Sequence, residues 1–306
     1  MCSFQADVTR FTLAHISDPH LAPPAGSFKP ADAISKRLFS RLSWIRARRF
    51  EHKPEVLDAI MSDLAAQTPD HVAITGDLTN YAAPAEYRAA RAWLQGLGDP
   101  ARVTVTLGNH DALVAMPVSD GAAQWLEWLG DGLDVVAFPT VRIRGEIALV
   151  NVCSSVPTPI GSAAGRVGAD QLERLGAELD SLGRQGLFRI VLIHHPVVDG
   201  VVSGRKSLKD AAAFRAVLRS AGAELILHGH GHEPVSTQIE GPFGLIPVLG
   251  APSASLAAGA HHAPAHWRRI DIEDRAVTVT ERGIGPDGDL TVRELRSYPV
   301  AIPAQG

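Results

Sequence analysis

The feature that most constrains this 306-residue chain is a recurring alternation of short apolar runs with helix-like stretches. The runs "FTLAHIS", "HVAITGD", "RVTVTLGNHD", "IALVNVCSS", "RIVLIHHP" and "AELILHGHGH" are apolar on both faces. Between them lie stretches of helical period such as "APAEYRAARAWLQGL", "DQLERLGAELDSL" and "KDAAAFRAVLRSA". Doubly apolar strands separated by helices predict a sheet covered on both sides. Beyond about residue 243 the rhythm changes, because "GLIPVLG", "HWRRIDIE", "AVTVTER" and "LTVRELR" follow one another with no helix between them. That spacing predicts an antiparallel β region over about 243–300 that closes a second sheet. The expected fold class is α/β, a single domain over 1–306 in which two packed mixed β-sheets are flanked by helices. Within it, "APSASLAAGAHHAPA" reads as a long mobile loop.

Composition narrows the setting. At 45% hydrophobic the chain can bury a large core. No apolar stretch approaches the roughly 20 residues that span a bilayer. The opening "MCSFQADVTRFTLAHISD" has neither the basic nor the apolar region of an export signal. The two cysteines are Cys2 at the terminus and Cys153 inside an apolar run, so no disulfide framework is expected and a reducing compartment fits. The expected location is cytoplasmic. Net charge is −4 and pI about 6.3, so a global basic field for nucleic acid is lacking. One segment departs from this balance. Residues 28–53 form a basic amphipathic insert, in which Lys29 to Lys53 carries net +6 and leaves −10 on the remainder. Phe28, Leu38, Phe39, Leu42, Trp44, Ile45 and Phe50 are interleaved with those charges.

The chemistry sits where the apolar runs end. "ISDPH" supplies Asp18 and His20, and "ITGD" supplies Asp77. "GNHD" adds Asn109, His110 and Asp111, "LIHHP" adds His194 and His195, and "LHGHGH" adds His228, His230 and His232. Doubly wound sheets place ligand-binding groups at these strand ends. Mixed carboxylate, imidazole and amide donors suit transition metals rather than magnesium or calcium. Their number exceeds one tetrahedral ion, which points to two ions. Such a pair, about 3.5–4 Å apart, clamps the attacking and leaving oxygens of a phosphoryl displacement.

The ordered series D-x-H, G-D, G-N-H-D, H-H-P and G-H-x-H resembles that of the calcineurin-like metallophosphoesterases, from about Phe11 to about Pro234. The compact bacterial branch with class III cyclic-nucleotide phosphodiesterases and glycerophosphodiesterases is the most similar. The resemblance implies a four-layer αββα sandwich and a metal-dependent phosphoric ester hydrolase. It implies that Asp18, His20 and His232 hold one ion, that Asn109, His194 and His230 hold the other, and that Asp77 bridges them. It also implies two divalent or trivalent ions, with Mn, Fe or Zn favoured, and gives His110 the role of phosphate binder and general acid. Asp111 would orient His110, and His195 would lie behind the ligands or face the substrate. Gly231 is read as the residue that lets His230 and His232 diverge. Cys153 reads as a buried apolar residue with no share in the chemistry.

The insert admits two readings. It is a lid or rim whose Arg46, Arg48 and Arg49 bind an anionic substrate or anionic membrane headgroups, or it is an amphipathic helix packed on the core. The expected substrate is a small phosphodiester or phospholipid-type molecule, and a homo-oligomer is left open. Alternatives are a phospholipase C-like enzyme or lipid-headgroup pyrophosphatase at a membrane surface, a nuclease disfavoured by the acidic balance, and a catalytically silent scaffold.

Overall fold

Alternate residues of the central strands face different cores, and the consequence is a layered molecule. A computed structural model describes residues 10–285 and 289–299; Cys2 lies outside the described residues. Strands and helices are numbered along the chain. The first sheet runs in the order β12-β11-β10-β1-β2-β3. Its members are β1 (Phe11–Ile16), β2 (His71–Ile74), β3 (Val103–Val105), β10 (His266–Glu273), β11 (Ala276–Ile284) and β12 (Leu290–Pro299). The second has the order β4-β5-β6-β7-β9-β8. It contains β4 (Thr140–Arg144), β5 (Ile147–Asn151), β6 (Phe188–Leu192), β7 (Leu225–His228), β8 (Val235–Gly241) and β9 (Gly244–Gly250).

Three cores separate four layers. Leu13 of β1, Leu149 of β5, Ile190 of β6, Leu227 of β7 and Ile270 of β10 meet between the sheets. On β1, Ala14 and Ile16 point the other way, onto Ile60 of α3 (Pro54–Ala66) and Leu94 of α4 (Pro84–Gly96). On β5 and β6, Val150 and Val191 face Leu175 of α6 (Ala169–Arg184) and Phe214 of α7 (Ala211–Ala221). The period of two that makes these runs apolar on both faces therefore builds the predicted αββα sandwich. Cys153 packs against the first of the outer cores, and burial pushes its thiol up to about 11, so it stays neutral.

The C-terminal part differs from expectation. It closes no sheet of its own. β10 pairs antiparallel with β1, and β11 and β12 extend that edge of the first sheet. β9 joins the second sheet, parallel to β7 and antiparallel to β8. Local spacing indicates which strands lie close in sequence, whereas sheet membership depends on which distant edge is open. Nor is the 251–265 stretch a free loop along its whole length. Residues 251–256 are buried, with Ala254 N–H donating to the Ser17 carbonyl at 2.9 Å and the Ser253 hydroxyl to the Asp18 carbonyl at 2.7 Å.

The basic insert folds as a 3₁₀ turn (Pro30–Ile34), α1 (Lys36–Ser43), a π-helical turn (Trp44–Arg48) and α2 (Arg49–Glu51). It is tied down on two sides. The Ser40 hydroxyl donates to the Asn80 carbonyl at 2.6 Å, and the Arg37 guanidinium to the carbonyls of Tyr81 at 3.1 Å and Ala82 at 2.7 Å. Farther along, Lys53 N–H donates to the Ser255 carbonyl at 2.8 Å. The insert thereby covers the edge of the sandwich where the parallel strands β1, β2, β6 and β7 end. One further helix, α5 (Leu126–Leu129), follows β3. Among the described residues, no helix is long and apolar enough to cross a membrane.

Candidate metal centre

Five of the side chains singled out at the strand ends stand on left-handed backbone. They are Asp18 (φ 50°), His20 (φ 41°), Asp77 (φ 57°), His230 (φ 66°) and His232 (φ 55°). For side-chain-bearing residues this conformation costs on the order of 1 kcal/mol or more, and it clusters at functional sites. Hydrogen bonds between neighbouring loops hold it: Asp18 N–H donates to the Gly76 carbonyl at 3.0 Å and His20 N–H to the Asp77 carbonyl at 3.1 Å. The turn within G-H-G-H thus comes from the histidines themselves. Gly231 has no positive φ and room for a Cβ, so the divergence expected from it is not its doing. The glycine that packing requires is Gly229, where a Cβ would run into the side chains of Ser17 and Asp18.

The two sheets contribute jointly. Asp18, His20, Asp77 and Asn109 follow strands of the first sheet; His194, His230 and His232 follow strands of the second. Direct bonds close the seam, with His230 N–H donating to Asp18 Oδ2 at 3.0 Å and His194 Nδ1–H to the Thr75 carbonyl at 2.6 Å. The donors gather in two groups, Asp18, His20 and His232 in one and Asp77, His194 and His230 in the other. Within each group the ligand atoms lie within 4.8 Å of one another. Asp77 Oδ2 stands 3.4 Å from His194 Nε2 and 3.9 Å from His20 Nε2, so it faces both groups. Asn109 Oδ1 is 3.2 Å from His194 Nε2, in the second group.

These residues fit a pair of ions. Ligand atoms about 2.0–2.2 Å from one ion must stand roughly 3.0–3.5 Å from each other. His232 Nε2 is 3.1 Å from Asp18 Oδ1 and 3.4 Å from His20 Nε2. The rear nitrogens are occupied as ligand histidines require. His20 Nδ1–H donates to the Thr79 carbonyl at 3.3 Å and His230 Nε2–H to the Lys206 carbonyl at 3.0 Å, turning the other nitrogen of each ring inward. Burial drives His20 and His230 well below the usual imidazole range, so both are neutral donors. His194 is the exception. Burial opposes its charge, yet the Asp77 and Asp18 carboxylates outweigh burial and raise it to about 9. His228, although buried, belongs to neither group.

Above the donors lies a cavity of about 350 Å³, lined also by Lys36, Phe39, Arg48, His52, Lys206 and His262. His110 borders it, its Nδ1–H donating to the Asn80 carbonyl at 2.6 Å and its ring edge-on to His20 at 5.1 Å. Arg48 Nη1 is 3.3 Å from both ring nitrogens of His110, which sets the guanidinium over the ring face. Among the described residues its Nη2 has no hydrogen-bond partner, and the guanidinium borders the cavity.

The comparisons with known proteins agree with this geometry. The model of the calcineurin-like phosphoesterase family matches residues 11–234. The chain belongs to that family. It is 29% identical over 218 residues to a probable cyclic nucleotide phosphodiesterase of Synechococcus sp., covering 70% of this chain and 76% of that protein. It is 27% identical over 230 residues to a cAMP/cGMP dual specificity phosphodiesterase of Mycobacterium tuberculosis, covering 72% of this chain and 62% of that protein. In fold it is similar to a dimetal phosphatase from Danio rerio, with TM-score 0.56 at 14% identity over 92% of this chain and 98% of the other. It is thus a metal-dependent phosphoester hydrolase by family.

Several expected roles move. Asp111 does not reach the His110 ring, because its carboxylate is filled by the N–H groups of Asp77 at 2.8 Å, Thr79 at 2.9 Å and Gly108 at 2.8 Å. It braces the loops that carry Asp77 and Asn109, and the Asn80 carbonyl does the orienting. His195 is turned away from the cavity, with Nδ1 2.8 Å from Ser154 Oγ and Nε2 3.1 Å from the Ala163 carbonyl, so it does not face substrate. Of the three arginines, Arg48 reaches the cavity, while Arg46 and Arg49 are exposed and outside its lining. His52 was missed, since it follows no apolar run and sits among the insert's charges.

Two outcomes are expected. With metal content measured by mass spectrometry, His230→Ala and His232→Ala each lose one of two ions, Asp77→Ala loses both, and His228→Ala keeps both; equal loss at 228, 230 and 232 refutes the grouping. Below pH about 9, ion binding must expel the His194 proton, so affinity rises with pH through neutrality and levels off near 9. Calorimetric titrations in buffers of different ionisation heat measure that released proton.

Proposed function

We propose that the chain is a phosphodiesterase with a two-ion centre, acting on a small diester of which a cyclic nucleotide is the first candidate. The observation that carries this reading is the facing of Asp77 toward both donor groups beneath a cavity bordered by His110 and Arg48. The names of the two curated relatives support the substrate class. Two ions at these residues would supply Lewis-acid charge at the phosphoryl oxygens and acidify water. The chain's own residues do the rest. The Arg48 guanidinium, which borders the cavity, takes a nonbridging phosphoryl oxygen. In the free protein, burial and Arg48 push His110 down to about 4. An anionic phosphoryl group offsets the Arg48 charge, so His110 can carry a proton on Nε2 and deliver it to the departing oxygen, with Asn80 fixing its ring. The cavity's modest volume suits a single nucleotide-sized diester better than a nucleic-acid strand.

A proton donor matters most when the leaving group is basic. His110→Ala should lower kcat by about 10²- to 10⁴-fold on cyclic AMP and far less on bis(p-nitrophenyl) phosphate. Equal losses on both would show that His110 only binds phosphate.

A second reading has its own observation. Phe39 and Ile160 line the cavity yet are 52% and 62% exposed, and the insert also exposes Ile34, Phe50, Arg46 and Arg49. Such a rim suits substrates presented at an anionic lipid surface. Sedimentation with phosphatidylglycerol vesicles should then carry the protein down, and Arg46→Ala/Arg49→Ala should release it. No sedimentation, or none that depends on these arginines, removes this reading.

A further inference from the structure

The insert brings to the cavity one imidazole that the strand-end motifs do not account for. His52 is buried, with its ring 4.6 Å from that of His20 and 5.7 Å from that of His232, and with Trp44 stacked at 6.4 Å. Its Nδ1 lies 2.8 Å from Ser255 Oγ and 3.3 Å from Ser253 Oγ. The Ser253 hydroxyl proton is committed to the Asp18 carbonyl at 2.7 Å. Of the two acceptors within reach of the Ser255 hydroxyl, His52 Nδ1 at 2.8 Å is nearer than Ser253 Oγ at 3.3 Å, and donation to Nδ1 puts the His52 proton on Nε2. Among the described residues Nε2 has no hydrogen-bond partner, and His52 lines the cavity. The backbone on either side is fixed, by Lys53 N–H to the Ser255 carbonyl at 2.8 Å and Ala257 N–H to the Glu51 carbonyl at 2.9 Å.

We propose that His52 is a substrate-contacting residue whose Nε2–H donates to a nonbridging phosphoryl oxygen of the bound diester, a second donor beside Arg48. This deepens the phosphodiesterase reading and rests on it. Ser255 and Ser253 are positioning residues. They tie the donor to the backbone of Asp18, so donor and ligand group keep a fixed spacing. The contact is recognition only: His52 transfers no proton and forms no bond.

The test uses full-length, metal-loaded protein with His52→Gln, His52→Asn and His52→Ala. A glutamine amide sets an N–H near the place of Nε2, and an asparagine amide mimics Nδ1. Metal content, kcat/KM on bis(p-nitrophenyl) phosphate and affinity for inorganic phosphate are measured together. With metal content unchanged, Ala and Asn should lose about 10- to 100-fold in kcat/KM and a similar factor in phosphate affinity, as for one hydrogen bond to a charged group. Gln should recover most of both. Recovery by Asn but not Gln makes His52 a strut for Ser255 and overturns the proposal, as do wild-type values in all three. If these variants shed metal, Ser255→Ala decides: it keeps His52 but frees its ring, and unchanged phosphate affinity refutes the role. A wild-type protein that hydrolyses no diester sinks the phosphodiesterase reading instead, while the phosphate arm still reports on His52.

Discussion

Two buried carboxylates, Asp18 and Asp77, stand within reach of the same imidazoles, and the rest of the site is arranged around that fact. Like charges held together away from water are tolerated only with cations or protons between them. In the metal-free chain the compensation comes partly from His194, whose proton the two carboxylates retain. Ions take over that duty when bound. Both carboxylates are held on left-handed turns, as are His20, His230 and His232 of the same two groups. The surrounding cores, where Val, Ile and Leu sit in regular strands, keep the turns from relaxing.

The order of metal-type side chains was legible because it is local. Each follows an apolar run, and a strand that ends under a packed sheet must present its next side chains at the sheet's rim. The contacts that complete the site were not legible, because they cross from one sheet to the other. No periodicity shows that Gly229 must lie bare against Ser17, or that His194 reaches the Thr75 carbonyl. β4 and β8 escaped notice for a related reason. "VSTQIEG" buries only Ile239 and "TVRIR" buries an arginine, so neither reads as a strand of a buried sheet.

Asp111 shows how adjacency misleads. Next to His110 in sequence, it suggests a carboxylate–imidazole pair. In the folded chain the side chain turns back to gather three N–H groups from two loops, a use that only the three-dimensional path of the loops defines. The insert teaches the same lesson about charge. Its net +6 reads as a surface field, yet Lys36, Arg37 and Arg48 spend their charge on carbonyls, on Asp32 and on the cavity. Of Arg46, Arg48 and Arg49, the first and last face outward. The π-helical turn at Trp44–Arg48 resets the helical phase, so a period of 3.6 cannot tell which arginine points inward.

The division of labour that results bears on specificity. Strand ends of the two sheets supply the metal donors, and a fold shared by many phosphoesterases cannot by itself select among their substrates. Selection must come from what closes the cavity above those donors. Here that is the insert on one side and the 158–163 loop on the other, joined where Lys36 Nζ donates to Thr158 Oγ1 at 2.6 Å and to the Ser162 carbonyl at 2.7 Å. This clamp fixes the separation of the two walls. A lysine spent in this way is a spacer rather than an anion receptor, which leaves Arg48 and Lys206 as the cationic side chains bordering the cavity. The width of the opening is therefore a property of the insert and of that loop, and varies independently of the strand-end donors beneath it.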